Sequence, residues 1–166
     1  MAWTISSQTL PLAIPLIKQF EGFRAAPYLC PAKRWTIGYG TTKYPDGRKV
    51  TANDEPISQL TALRYLQASV ERVERDLHPL LLREPTPQQH AALICLAYNI
   101  GVGAHDGVKG DLADSTLLAR FNAGLIAAAS DQFLVWNKAH VDGKVEELPG
   151  LTKRRQAERA LFRSAA

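Results

Sequence analysis

The sequence has little cysteine: Cys30 and Cys95 are the two in 166 residues. That excludes a disulfide framework, and neither residue has a CxxC or His-paired metal spacing. Histidines 78, 90, 105 and 140 are scattered without a ligand pattern. No metal-ligand pattern is read from these residues. Long hydrophobic runs are also missing. The apolar stretch near the N-terminus is short, is interrupted by Pro11 and Pro15, ends at Lys18 and lacks a basic start. It reads as neither a signal peptide nor a transmembrane segment, so the chain is expected to be made and first held in the cytoplasm. Internal repeats and low-complexity segments are absent. Charge of one sign is modest, with a formal net charge of +4. Such an excess suits nucleic acid, an anionic envelope polymer or a membrane surface without choosing among them. Nothing else supports a nucleic-acid partner, and none is expected.

What is present describes a soluble domain with a core of its own, 46% hydrophobic and 22% charged. A first helix is predicted to start after Ser6 or Ser7 and to end at Glu21, with Gly22 as its cap. Pro11 suits a first turn, whereas Pro15 predicts a kink or a break. Residues 35–39 favour a strand, Tyr44-Pro45-Asp46-Gly47 a turn, and residues 48–50 a second short strand. From about Ser58 the pattern is helical. Leu60, Leu63, Leu66, Val70, Val73 and Leu77 mark one face, and the charged run from Glu71 to Asp76 the opposite, solvated one.

Thr86-Pro87-Gln88-Gln89 combines an N-cap, a proline at the first helical position and a capping box. The helix that follows, Gln88 to Ile100, is apolar almost all round and is expected to be central and buried. Cys95 falls there as a small hydrophobe. Ser115 caps a short helix ending near Gly124. Further helices are expected over 126–136 and 151–163, with a polar loop between them. The fold class is α+β, mainly α: one domain, 1–166, with a small β-hairpin lobe over about 1–57 and a larger helical lobe over about 58–166. A groove between lobes is the natural place for a polymer.

The chemistry-bearing segment is residues 18–42. Glu21 closes a helix, where the negative end of the helix dipole disfavours an ionised carboxylate, as a general acid requires. Phe20, Phe23, Tyr28 and Trp35 are aromatic neighbours able to desolvate it. Read alone, Glu21 is a surface residue at a helix end before it is a general acid.

Glu21, eight residues, Cys30, five residues and Thr36 reproduce both spacings of a known motif, within the flanks Phe20-Glu21-Gly22, Cys30-Pro31-Ala32 and WTIGYG over 35–40. The segment resembles the phage-type lysozymes of glycoside hydrolase family 24. The resemblance continues in order through 97–101, 115–118, 121–124, 133–137 and 150–158. It thus runs from roughly residue 7 to residue 163.

The resemblance implies a lysozyme-like fold and an endolysin muramidase acting on the bond that follows N-acetylmuramic acid in peptidoglycan. Glu21 would protonate the glycosidic oxygen and Thr36 would help hold the attacking water, chemistry that implies no metal and no organic cofactor. Cys30 stands where other members carry Asp. Nucleophile, water-positioner and passive neighbour are all open to its thiol, and Lys33 and Arg34 are close enough in sequence to influence it. Tyr98 and Asn99 fit groove-lining, substrate-binding roles, although Tyr98 fits the core as well. Arg154 and Arg155 are candidates to orient Glu21 from the base of the cleft or to meet anionic cell wall from the surface.

Thr41 stands where members often have His. The segment 105–114 is longer than usual, so substrate preference is the property most exposed to change. Family biology implies a monomer held in the host cytoplasm until lysis, with a holin giving access to periplasm and wall. Because position 30 lacks a carboxylate, a lytic transglycosylase is a second reading, and a non-catalytic peptidoglycan-binding module a third.

Overall fold

The computed structural model describes residues 7–30, 33–104, 110–141 and 143–164. Ser6, the Pro31-Ala32 flank and residues 105–109 of the charged loop lie outside the described residues. The elements run α1 (Thr9–Glu21), β1 (Arg24–Leu29), β2 (Trp35–Gly38), α2 (Gln59–Leu77), α3 (Pro87–Ile100), α4 (Thr116–Asn122), α5 (Ile126–Asp131), β3 (Lys138–Val141), β4 (Lys144–Glu147) and α6 (Pro149–Arg163). This is a mainly helical α+β fold with two small antiparallel hairpins, β1–β2 and β3–β4. Among the described residues no helix is long and apolar enough to cross a membrane. The chain divides into two compact units, Ile14–Arg72 and Met1–Ala13 with Val73–Ala166, so the divisions fall inside α1 and α2.

Helix α1, which crosses the division between the units, runs through both prolines unbroken, so of the kink or break expected at Pro15 the break does not occur. Pro11 and Pro15 both lie on the exposed side. The Pro11 carbonyl, which loses its partner because Pro15 has no N–H, is therefore open to water. The hairpin packs around Ile37, Tyr44 and Val50, with Ile57 and Tyr65 against them. The turn at 44–47 forms as expected, closed by the Gly47 N–H on the Tyr44 carbonyl at 2.9 Å. Residues 48–50 contribute a single bridge, Lys43 to Lys49, in place of a strand.

Asp54 gathers this loop: it accepts from the Tyr44 hydroxyl, from Arg48 and from the Thr51 backbone and hydroxyl. Those bonds, the Thr51 N–H first, hold its carboxyl well below the usual range. Burial and then the bond to Asp54 push the Tyr44 phenol up to about 12. Gly38, at φ +65°, lets β2 pass close to α2: a Cβ there would stand 3.0 Å from that of Ala62.

The buried face of α2 is Ala62, Leu66, Val70, Glu74 and Leu77, while Leu60 is exposed. The four-residue step from Ala62 selects this face, and it carries Glu74 inward instead of leaving it with the solvated run.

In the second unit, α3 has the expected start. The Gln89 N–H donates to Thr86 Oγ1 at 3.2 Å, and the Thr86 N–H donates to Gln89 Oε1 at 3.1 Å. Residues His90 to Ala97 of this helix are all buried. Ser115 caps α4 through the Leu118 N–H at 3.0 Å. Phe162 of α6 meets Phe121 and Phe133, with ring centroids 6.1 and 5.2 Å away. Helix α5 stops at Asp131, a 3-10 turn carries the chain to Val135, and Lys138–Val141 pairs with Lys144–Glu147 where a polar loop was expected.

His90 sits in this core, its Nδ1 3.4 Å from Thr9 Oγ1 and 3.9 Å from Glu74 Oε1. Burial, then the charge of His78, lowers its pKa to about 4. Between about pH 6.5 and 4 the unfolded chain binds a proton that the folded chain excludes. Stability is therefore complete above that window and declines as pH falls through it. The decline amounts to no more than about 3 kcal/mol. Urea midpoints measured across the window are expected to fall in the wild type and to fall less in His90→Gln.

Candidate active site

Glu21 is the last residue of α1, half-buried, beside the chain carbonyls that close the helix. Gly22, at φ +67°, makes the cap, its N–H on the Lys18 carbonyl at 3.2 Å. The chain then enters β1 at Arg24, so helix end and hairpin are joined by two residues. Within the hairpin Tyr28 is the cross-strand partner of Thr36. The Cys30 N–H donates to the Arg34 carbonyl at 3.0 Å, and the Cys30 carbonyl accepts from the Lys33 N–H at 2.8 Å. Cys30 is a half-buried free thiol.

Thr36 is buried, and its hydroxyl donates to the Arg34 carbonyl at 3.0 Å. Its proton is thereby engaged, which leaves the oxygen's lone pairs as what it offers a neighbour.

Tyr28 ties these residues together. Its phenol pKa is raised chiefly by burial; Arg24 opposes the rise, and the charges of Glu21 and Cys30 add to it. The Arg24 guanidinium stands 4.4 Å over the Tyr28 ring. Glu21 and Cys30 thus act electrostatically on one phenol, and backbone register sets Thr36 opposite it. All three motif residues belong to a single compact unit.

The aromatic surroundings differ from expectation in part. Phe20, Phe23 and Tyr28 are half-buried, whereas Trp35 is 37% exposed and lines a separate hollow with Lys33 and Arg34. Tyr39, which the sequence reading did not single out, is buried, packs on Phe23 at 5.5 Å and carries Lys18 Nζ 5.4 Å from its ring centre. Arg24 was also missed. No simple strand spacing signals its pairing with Tyr28, because the register shifts between the two.

The remaining predicted residues lie in the other unit. Tyr98 is half-buried and Asn99 exposed, at the C-terminal end of α3. Arg154 and Arg155 are 4% and 0% exposed, so neither forms the basic surface that was one of their two expected roles. Both converge on the buried Glu158: its Oε1 accepts from Arg154 Nε and Arg155 Nη2 at 3.0 Å each, and its Oε2 is 2.9 Å from Arg155 Nε. Arg155 also donates to Asn99 Oδ1 at 3.0 Å, and Arg154 to the Cys95 carbonyl at 3.4 Å. Cys95 is buried, and desolvation holds its thiol protonated, far above the ordinary range. Among the described residues no cluster of His, Cys, Asp and Glu able to hold a metal ion is found.

The model of the phage lysozyme family matches residues 18–158. An endolysin of Acyrthosiphon pisum secondary endosymbiont phage 1 is 41% identical over 150 residues, covering 90% of this chain and 94% of its own. The chain belongs to the phage lysozyme family. Solved structures agree with that membership. An endolysin from Escherichia coli O157:H7 phage FAHEc1 superposes with a TM-score of 0.81 at 31% identity, over 98% of this chain and 95% of that one. The muramidase domain of SpmX from Asticaccaulis excentricus does so with a TM-score of 0.73 at 28% identity, over 99% and 100%. This phage lysozyme is a glycoside hydrolase that lyses the bacterial cell wall, with peptidoglycan as its substrate. The matched span includes Glu21, Cys30 and Thr36.

Proposed function

We propose that this phage lysozyme is a muramidase whose chemistry is carried by Glu21, Cys30 and Thr36. The observation that supports the assignment is the shared neighbourhood of Tyr28, on which Glu21 and Cys30 both act and whose cross-strand partner is Thr36. Glu21 donates its proton to the glycosidic oxygen between N-acetylmuramic acid and N-acetylglucosamine. The bond from the muramic anomeric carbon to that oxygen breaks, and a water molecule attacks the carbon. Thr36, its own proton engaged on the Arg34 carbonyl, accepts a hydrogen from that water and turns a water lone pair toward the carbon. The water's released proton goes to solvent, and Glu21 is reprotonated from there.

Cys30 replaces the carboxylate that other members use at this position, and we assign its thiol to the water side of the site. Asn99, steadied by Arg155, offers its amide to an acetamido group, with Tyr98 beside it as an aromatic wall. Arg154 and Arg155 then serve substrate binding indirectly, through Glu158 and Asn99. The enzyme is assigned to act as a monomer that waits in the host cytoplasm and reaches the periplasm and cell wall when a holin opens the membrane.

The Thr36 role is tested by a pair of variants on a purified peptidoglycan suspension. Thr36→Val is expected to lower kcat by roughly ten- to a hundred-fold, and Thr36→Ser to recover most of it. Equal rates for Val and wild type would remove Thr36 from the mechanism.

A further inference from the structure

The hairpin unit carries a second feature that the mechanism does not use. Lys33, Arg34, Lys43 and Lys49 converge on a hollow of about 460 Å³ walled by Trp35, with no acidic side chain among the described residues that line it. All four cations are exposed. They come from two separate stretches of chain, so the sequence shows no basic run here.

Lys43 and Lys49 are direct partners across an antiparallel bridge, an arrangement of like charges that opposes folding and that a bound anion relieves. The acids of the same turn are engaged elsewhere: Asp54 with Tyr44, Arg48 and Thr51, and Asp46 with the Arg48 N–H. Lys33 has φ 55°, a left-handed backbone rare for a side-chain-bearing residue and often found at ligand clamps. Its turn is the one that holds Cys30.

Trp35 and Thr36 are consecutive on β2, so they face opposite sides of the strand. Thr36 is buried and Trp35 exposed, although Ile37, on the Trp35 side, is buried further along the strand. The hollow therefore adjoins the catalytic motif along the chain but opens on the other face of the strand. A ligand joined to the substrate reaches it only through a chain long enough to pass the strand. The peptide stem on each muramic acid is such a chain, at about 3.3 Å per residue, and it carries several carboxylates within a few residues. A phosphodiester wall polymer spaces one charge per repeat and matches four clustered cations less well.

We propose that this hollow binds the carboxylates of the peptide stem, making it a specificity site for peptide-bearing glycan. The proposal rests on the muramidase reading above. Its test is a binding measurement on Glu21→Gln, by titration calorimetry, with a soluble disaccharide-peptide and the same disaccharide without its stem. The stem is expected to tighten binding about ten-fold or more, and that advantage is expected to vanish in a Lys43→Ala/Lys49→Ala background and to weaken at about 0.5 M salt. A Lys43→Arg/Lys49→Arg background is expected to keep it.

Equal affinities for the two disaccharides, or a stem advantage that survives both alanines, would overturn the proposal. So would stem amidation without effect alongside binding of a glycerol-phosphate oligomer that is lost in the alanine background, which would assign the hollow to wall phosphate. Wild-type hydrolysis of intact peptidoglycan, followed in parallel, reports on the muramidase reading separately.

Discussion

Glu21→Gln is expected to leave peptidoglycan almost uncut while the protein stays folded. Glutamine has the shape of the protonated acid but no proton to give, so it removes the transfer and little else. General-acid catalysis contributes on the order of a hundred- to ten-thousand-fold, and the rate of clearing is expected to fall by that order. Stability is expected to hold, because glutamine keeps the size and shape of the half-buried acid and the Gly22 N–H still closes the helix on the Lys18 carbonyl. Clearing rate and thermal midpoint measured on one preparation separate lost chemistry from lost fold. A glutamine variant that clears at the wild-type rate removes Glu21 as the acid.

Glu158→Ala is expected to have the largest effect on stability. Glu158 is fully buried between Arg154 and Arg155, themselves almost fully buried, and both guanidinium groups bond its carboxylate. Removing it takes from two buried cations the carboxylate that both of them bond. Breaking a buried pair from one side costs about 3–5 kcal/mol, a large share of the roughly 5–15 kcal/mol that holds an ordinary domain together. The thermal midpoint is expected to fall by roughly 6–20 °C. A triple variant, Arg154→Met with Arg155→Met and Glu158→Leu, is expected to recover much of the loss, since apolar groups of similar volume carry no desolvation penalty. Urea titration of both proteins measures this. A Glu158→Ala protein within about 1 kcal/mol of wild type would show that the cluster is not held as described.

These two residues mark the limits of what the sequence discloses. Glu21 is legible because its information is local: a helix end, a glycine cap, and fixed spacings to Cys30 and Thr36. Glu158 is not, because its burial depends on Arg154 and Arg155 turning inward toward α3, and a charged residue on a helix reads by default as solvated. Glu74 was missed for the same reason, its companion His90 being on another helix.

The capping box at Thr86 and the apolar run of α3 were readable because hydrogen-bonding chemistry and burial both show in residue type. Strand β1 was not. Arg24-Ala25-Ala26-Pro27-Tyr28-Leu29 has a proline and weak alternation, and it pairs with β2 through a register shift between Arg24 and Tyr28. Bulges of this kind are where strand proline is tolerated. The hairpin β3–β4 was hidden because β4 is exposed throughout and β3 alternates over only four residues, too few to mark a strand. The continuity of α1 through Pro15 depends on which side of the helix meets solvent, and that is settled by tertiary packing. In the same way the basic hollow depends on the hairpin bringing residues 33–34 beside 43 and 49.

The central claim is that a proton from Glu21 and an attacking water together cut the glycan. Digestion of peptidoglycan in heavy-oxygen water, with mass spectrometry of the released fragments, tests it most directly. The account predicts one heavy oxygen at each new muramic reducing end, produced by the wild type and not by Glu21→Gln. Unlabelled anhydromuramic ends, or labelled ends formed equally fast by the glutamine variant, would contradict it.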